Sequence, residues 1–247
     1  MHELVQKAHS IAFRVTKAEA LDLPEETTQP RYVELEPKTL RIYNELKREA
    51  IAELESGIVT AQNVLTKLLR LSQVTGGFVT DVDGQVQQVG GEKMRAFEET
   101  LDDLLNAGKK VVVFARFIPE IRAICKALEK RGLQYRYITG EVSQAERGEA
   151  VQAFQTMPEV KVFVAQIQTA GLGITLTAAD TAIFYSMDFS LANHEQAKAR
   201  IHRIGQRHPV TYIYLLTAGT VDEKIFEALR EKKNVADLIV DRWREFL

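Results

Sequence analysis

The sequence is short of cysteine, of long apolar runs and of any excess of basic charge, and each shortage removes a class of protein. One cysteine among 247 residues, Cys125, excludes a disulfide framework and a thiolate metal site. It lies in an apolar helical pattern with Ile121, Ile124 and Leu128, so it is expected in the core. No stretch approaches the ~20 apolar residues that span a bilayer, and the opening MHELVQKAHS lacks the apolar run of a signal peptide. A soluble, intracellular protein of the cytoplasm, nucleoid or nucleus is expected, with no membrane partner. Lys and Arg total 32 against 34 Asp and Glu, a net charge of -2, so any contact with nucleic acid must come from a local patch. No GxxxxGK[ST] phosphate loop occurs, nor an Asp-Glu pair after a buried strand to hold magnesium. His194, His202 and His208 have no carboxylate or cysteine at metal spacing, and no metal site is expected.

What is present is a regular alternation. From Lys109 onward, β-branched runs at Lys110 to Ala115, Gln134 to Ile138, Val160 to Ala165, Thr181 to Tyr185 and Val210 to Leu216 alternate with helical patterns. Near-continuous apolar strands separated by helices predict an α/β fold, a parallel sheet covered on both faces. Pro119 to Lys130 predicts a helix stopped by Gly132. Ser143 and Glu146 form a capping box that opens a helix to about Phe154.

The first 108 residues read differently. Pro37 opens a helix of about 20 residues, Thr60 to Gln73 is amphipathic, and Phe78 to Val89 alternates around Asp83-Gly84, a hairpin dipeptide. Glu92 to Asn106 is a helix closed by Gly108. The expected division is a mostly helical connector with a hairpin over 1–108, a lobe over 109–220 and bracing helices over 221–247. Tyr212 and Tyr214 alternate in a core strand and are expected buried.

The most informative stretch is Glu195 to Gln206, EQAKARIHRIGQ. Read as one helix at ~100° per residue, it projects Gln196, Arg200 and Arg203 from one face, with Ala197, Ile201 and Ile204 packed on the adjacent one. Two guanidiniums fixed side by side suit a polyanion, because they stay charged and bind phosphate oxygens in a fork. A solvated face making surface ion pairs has the same spacing.

With Gln196, Arg200, His202, Arg203, Ile204, Gly205 and Gln206, this stretch resembles the sixth motif of Swi/Snf-like helicases. Thr169 to Ala179 (TAGLGITLTAA) is similar to their fifth motif, Val111 to Phe117 to the fourth, and Ile138 to Phe154 to the segment after it. Phe13 to Pro24 and Tyr32 to Leu46 resemble the connector before the second lobe, so the likeness covers nearly the whole chain. Gln166 and Ile167 stand where a Ser-Thr pair is usual, and Thr175 where asparagine is common.

The resemblance implies a RecA-like second motor lobe. Arg200 and Arg203 would be arginine fingers, and Gln196, with the backbone at Gly171 and Gly173, would approach the nucleotide. Arg116, Gly140, Ser143, Gln168 and Thr169 would face the DNA backbone, although a structural ion pair explains Arg116 and Arg147 equally well. His202 is read as seating the arginine helix. ATP and magnesium would be used in the intact two-lobe protein and neither bound by this chain alone, which by itself would be inactive. The implied partners are double-stranded DNA and an amino-terminal RecA-like lobe of the same polypeptide, the whole acting as a monomeric translocase. The rival reading is an ATPase-inactive nucleic-acid or protein-binding module derived from such a lobe.

Overall fold

The computed structural model describes residues 22–57, 59–81 and 83–247. The resemblance noted over Phe13 to Pro24 therefore lies mostly outside the described residues. Six parallel strands form one sheet in the order β1-β8-β7-β4-β6-β5. They are β1 (Glu26–Val33), β4 (Val111–Ala115), β5 (Tyr135–Ile138), β6 (Val162–Gln166), β7 (Thr181–Phe184) and β8 (Val210–Thr217). Strands β2 (Phe78–Thr80) and β3 (Val86–Gln88) form a separate antiparallel hairpin. Its turn is the expected Asp83-Gly84, where Gly84 has φ 78° and Asp81 Oδ1 accepts from the amides of Asp83 and Gln85.

The two-residue period of a strand sends neighbours to opposite faces. Val111, Val113 and Ala115 of β4 join Val162, Val164, Ile183, Tyr185, Ile213 and Leu215 beneath α3 (Glu92–Asn106) and α4 (Ile118–Lys130). Val112 and Phe114 join Phe163, Phe184, Tyr212 and Tyr214 on the other face. That face is covered by α1 (Pro37–Ser56), α2 (Ala61–Thr75), α5 (Gln144–Thr156), α6 (Leu191–Lys198), α7 (Val221–Arg230) and α8 (Val235–Phe246). The tyrosines are core, as expected. Cys125 is half-buried, and burial pushes its thiol up to about 11.

Strand β1 is a correction to the sequence reading, which placed no strand before the hairpin. Its sequence, ETTQPRYV, is exposed except for Val33. It holds by backbone pairing to β8 from Glu26↔Val210 to Val33↔Thr217, and Pro30 is tolerated because the strand is an edge. The sheet therefore crosses the border expected at 108 and 109. A buried polar joint fastens the front helices as well. Lys93 of α3 pairs with Asp222 of α7 at 2.5 Å, both nearly inaccessible. Asp222 also accepts from Thr75 Oγ1 and the Thr217 amide, and Tyr43 Oη accepts from the Val221 amide.

Two buried groups respond oppositely to acid. Burial raises the carboxyl of Glu120 to about 7, and burial lowers the imidazole of His194 to about 4. Glu120 thus contributes stability that is present below its ordinary carboxyl range and lost as pH rises through about 7. His194 contributes stability present above about 6.5 and lost as pH falls through about 4. Each amounts to about 3 kcal/mol, and between about pH 4.5 and 6.5 the slopes oppose each other. Glu120→Gln removes one of them, so denaturant titrations should show this variant gaining about 3 kcal/mol more than the parent between pH 4.5 and 7.5. Parallel curves would refute the assignment.

Candidate functional site

In a parallel sheet all strands end on one edge, and the loops leaving β4, β5, β6 and β7 meet there. Arg116 follows β4, and its amide donates to Ser186 Oγ at 2.8 Å. Ser186 Oγ donates to Glu120 Oε2 at 2.5 Å, which also accepts from the Phe117 amide. The Arg116 guanidinium lies 3.9 Å over the Phe189 ring, and burial lowers its pKa while Asp188 and Glu120 work against that shift. Gly140 and Ser143 follow β5 and are exposed.

The capping box forms as expected: Ser143 Oγ accepts from the Glu146 amide and Glu146 Oε2 from the Ser143 amide. The Gly140 amide is taken by Gln166 Oε1 at 3.0 Å. Arg147, left open between DNA contact and structure, turns inward, with Nη2 donating to Thr139 O at 3.1 Å and Gly140 O at 3.2 Å. Gln168 is exposed, whereas Thr169 is buried with its hydroxyl donating to Gln166 O at 2.7 Å. Gly171 sits in the 3-10 turn Ile167–Leu172, and Gly173 ends that turn with φ 75°.

The expected helix from Glu195 to Gln206 does not form as one piece. Helix α6 stops at Lys198, and Arg200 and Arg203 lie on successive turns beyond it. Lys198 O still accepts the His202 amide four residues on and also receives Tyr212 Oη. Beyond it the helical pattern is lost, because Arg200 O receives the Leu176 amide and Ile201 O receives Gln206 Nε2. Gly205, at φ 100°, cannot continue a right-handed helix there. Ala197 and Ile201 are buried as expected, but Ile204 is 71% exposed.

The arginines still converge. Arg200 Nη1 and Arg203 Nη1 both donate to Ile174 O, at 3.4 and 3.2 Å, and Arg200 Nε donates to Gln196 O. Burial, with Arg203 beside it, lowers the pKa of Arg200. Gln196 is exposed on the last turns of α6, which packs against the 3-10 turn carrying Gly171. Gln196, Arg200, Arg203 and the segment after Gly173 are thus one cluster, and Arg116, Gly140, Ser143, Gln168 and Thr169 belong to the sheet edge. His202 seats the turn by bonding Pro24 O at 2.8 Å and Glu26 Oε2 at 3.3 Å. Sequence reasoning missed the roles of Gln166, half-buried, and Gln206, buried, whose amide groups tie loops together. The departure of Gln166 from the usual serine was the available signal. Among the described residues no group of three His, Cys, Asp or Glu could hold a metal ion, and no helix is long and apolar enough to cross a membrane.

Comparison with known proteins agrees with the fold. A family model described as the helicase conserved C-terminal domain matches residues 92–205. The chain is 36% identical over 152 residues to the chromatin-remodeling ATPase INO80 of Mycosarcoma maydis, covering 62% of this chain and 8% of that protein. The SWI2/SNF2 ATPase core of Sulfolobus solfataricus, solved in complex with double-stranded DNA, superposes with TM-score 0.73 and 28% identity over 98% of this chain and 52% of its own. The C-terminal domain of that ATPase superposes with TM-score 0.68 and 25% identity over 90% of this chain and 94% of its own.

The loss of the helix beyond Lys198 separates Ile201 from Ile204. Ile201→Ser should cost about 3 kcal/mol or more in thermal or denaturant unfolding, through a cavity and a buried hydroxyl. Ile204→Ser should stay within about 0.5 kcal/mol. Equal losses would restore the continuous helix.

Proposed function

We propose that this chain, the carboxy-terminal RecA-like lobe of a Swi/Snf-like helicase, supplies Arg200 and Arg203 to an ATP site completed by an amino-terminal lobe. The observation that carries the reading is the convergence of both guanidiniums on Ile174 O. Among the described residues neither guanidinium is paired with a carboxylate. A guanidinium has five donors, and one carbonyl shared by two arginines leaves most of them free for phosphate oxygens. Two like charges held together repel, and an incoming anion relieves that repulsion.

Arg200 and Arg203 would stabilise charge developing on the transferred phosphoryl group. Gln196, on the adjacent exposed turn, would reach the nucleotide or the attacking water, and the backbone at Gly171 and Gly173 would line its approach. The phosphate loop and magnesium belong in this reading to the other lobe, so this chain alone hydrolyses no ATP. The sheet edge would track the backbone of double-stranded DNA as lobe closure drives translocation. There, Gly140, Ser143 and Gln168 present the exposed contacts, and Arg116 and Thr169 shape the loops. The connector over 1–108 and the helices over 221–247 would brace the lobe.

In the full two-lobe polypeptide, Arg200→Ala or Arg203→Ala should lower DNA-stimulated turnover on the order of 10³-fold, with unchanged DNA binding and melting temperature. Lysine should rescue poorly. Normal turnover with a weakened fold would make both arginines structural, and an intact polypeptide with no ATPase at all would favour the binding-module reading.

A second expectation concerns the sheet edge. Glu146 places a carboxylate at the amino end of α5, where a DNA phosphate would otherwise be attracted. Glu146→Gln keeps the capping box and should tighten DNA binding by about two- to fivefold at low salt, an effect that fades as salt rises. No change would move the DNA path off this turn.

A further inference from the structure

The turns carrying the two arginines keep only scattered local bonds, such as the His202 amide on Lys198 O and the Gln206 amide on Arg203 O, so bonds from elsewhere must fix their course. Gln206 lies at their far end and is buried. Its Nε2 donates to Ala179 O at 2.8 Å and Ile201 O at 3.2 Å, with Thr177 O at 3.5 Å. Its Oε1 accepts from the amides of Arg207 and His208 at 2.9 and 3.1 Å. A carboxamide has two donor hydrogens and two acceptor lone pairs, and this one spends all of them on backbone. Glutamate lacks the donors, and asparagine is one methylene short.

The bonds are placed so that they fix geometry. Ala179 belongs to the segment that begins at Gly173 and supplies Ile174 O, on which both guanidiniums rest. Ile201 lies between the two arginines. The Leu176 amide donates to Arg200 O at 2.9 Å, which closes the other side of the same frame.

We propose that Gln206 is the positioning residue for the arginine pair: its carboxamide holds the Ala199-to-Gln206 turn in register with the Ile174-to-Ala179 loop, and so sets where Arg200 and Arg203 point. This rests on the reading that the two arginines serve the ATP site. Gln206 touches no substrate. Its effect is transmitted through the backbone at Ile201 and Ala179.

The test uses the full two-lobe polypeptide with ATP and double-stranded DNA. Gln206→Ala and Gln206→Glu should each lower turnover on the order of 10- to 100-fold, as expected for misplaced catalytic groups, while the KM for ATP stays within about threefold. Glutamate keeps the acceptor half of the clamp, so failure to rescue assigns the effect to the bonds on Ala179 and Ile201. In a background where Arg200 and Arg203 are both alanine, Gln206→Ala should cost less than about twofold more, because both groups it positions are already gone. A full multiplicative loss there, a raised KM at unchanged turnover, or near-normal turnover in both variants would overturn the proposal. If the arginine variants themselves keep full turnover, the ATP-site reading fails first. Should neither Gln206 variant fold, hydrogen exchange on the unmodified chain decides: the Arg207 and His208 amides should be protected, and exchange at the rate of free peptide would remove the clamp.

Discussion

A parallel sheet buried on both faces leaves its backbone no freedom. Each strand must be followed by a crossover that covers a face, and every crossover begins at the same edge. From that constraint comes the division of β4 into Val111, Val113 and Ala115 on one side and Val112 and Phe114 on the other. So does the gathering of Arg116, Gly140, Gln168 and Ser186 at the ends of four different strands. The chain reaches that edge in separate places, and side chains must join them.

The joining is done by polar groups inside the protein. Ser186 links the end of β7 to Arg116 and Glu120, Gln166 links β6 to Gly140, and Lys93 with Asp222 locks α3 to α7. Such bonds add little net stability, but an orphaned partner is costly. Their value here is in register. Loops that would otherwise sample many arrangements are left with one, and the surface they present is fixed before any ligand arrives.

The sequence made the apolar part of this plan plain and the polar part much less so. The five strands after residue 109 were legible because their β-branched runs are long and bounded by caps such as Gly132 and Ser143. Strand β1 was not, because ETTQPRYV carries no apolar alternation and is held by the neighbour it pairs with. The arginine cluster was found by residue type and motif, while its expected geometry was wrong. Helical periodicity assumes that each carbonyl bonds four residues ahead, and the Leu176 amide and the Gln206 side chain hold the carbonyls of Arg200 and Ile201 instead. Periodicity cannot register a competitor that lies 20 or more residues away, as Leu176 does.

In the proposed reading, a chain of net charge -2 would present a site for anions through the company its arginines keep. Several surface arginines are matched to acids, as Arg31 is to Asp103 and Arg95 to Glu36. Arg200 and Arg203 are instead matched to neutral carbonyls, Ile174 O shared by both and Gln196 O by Arg200, which orient a guanidinium without cancelling its charge. A carboxylate in that place would hold the pair more firmly and would also compete with a phosphate for it. An uncharged acceptor, set at the end of a turn that only the left-handed Gly173 closes, gives direction and leaves the charge available. The buried amide of Gln206, bonded to Ala179 O, and the packed side chain of Ile201 anchor the turn without adding a charge to it.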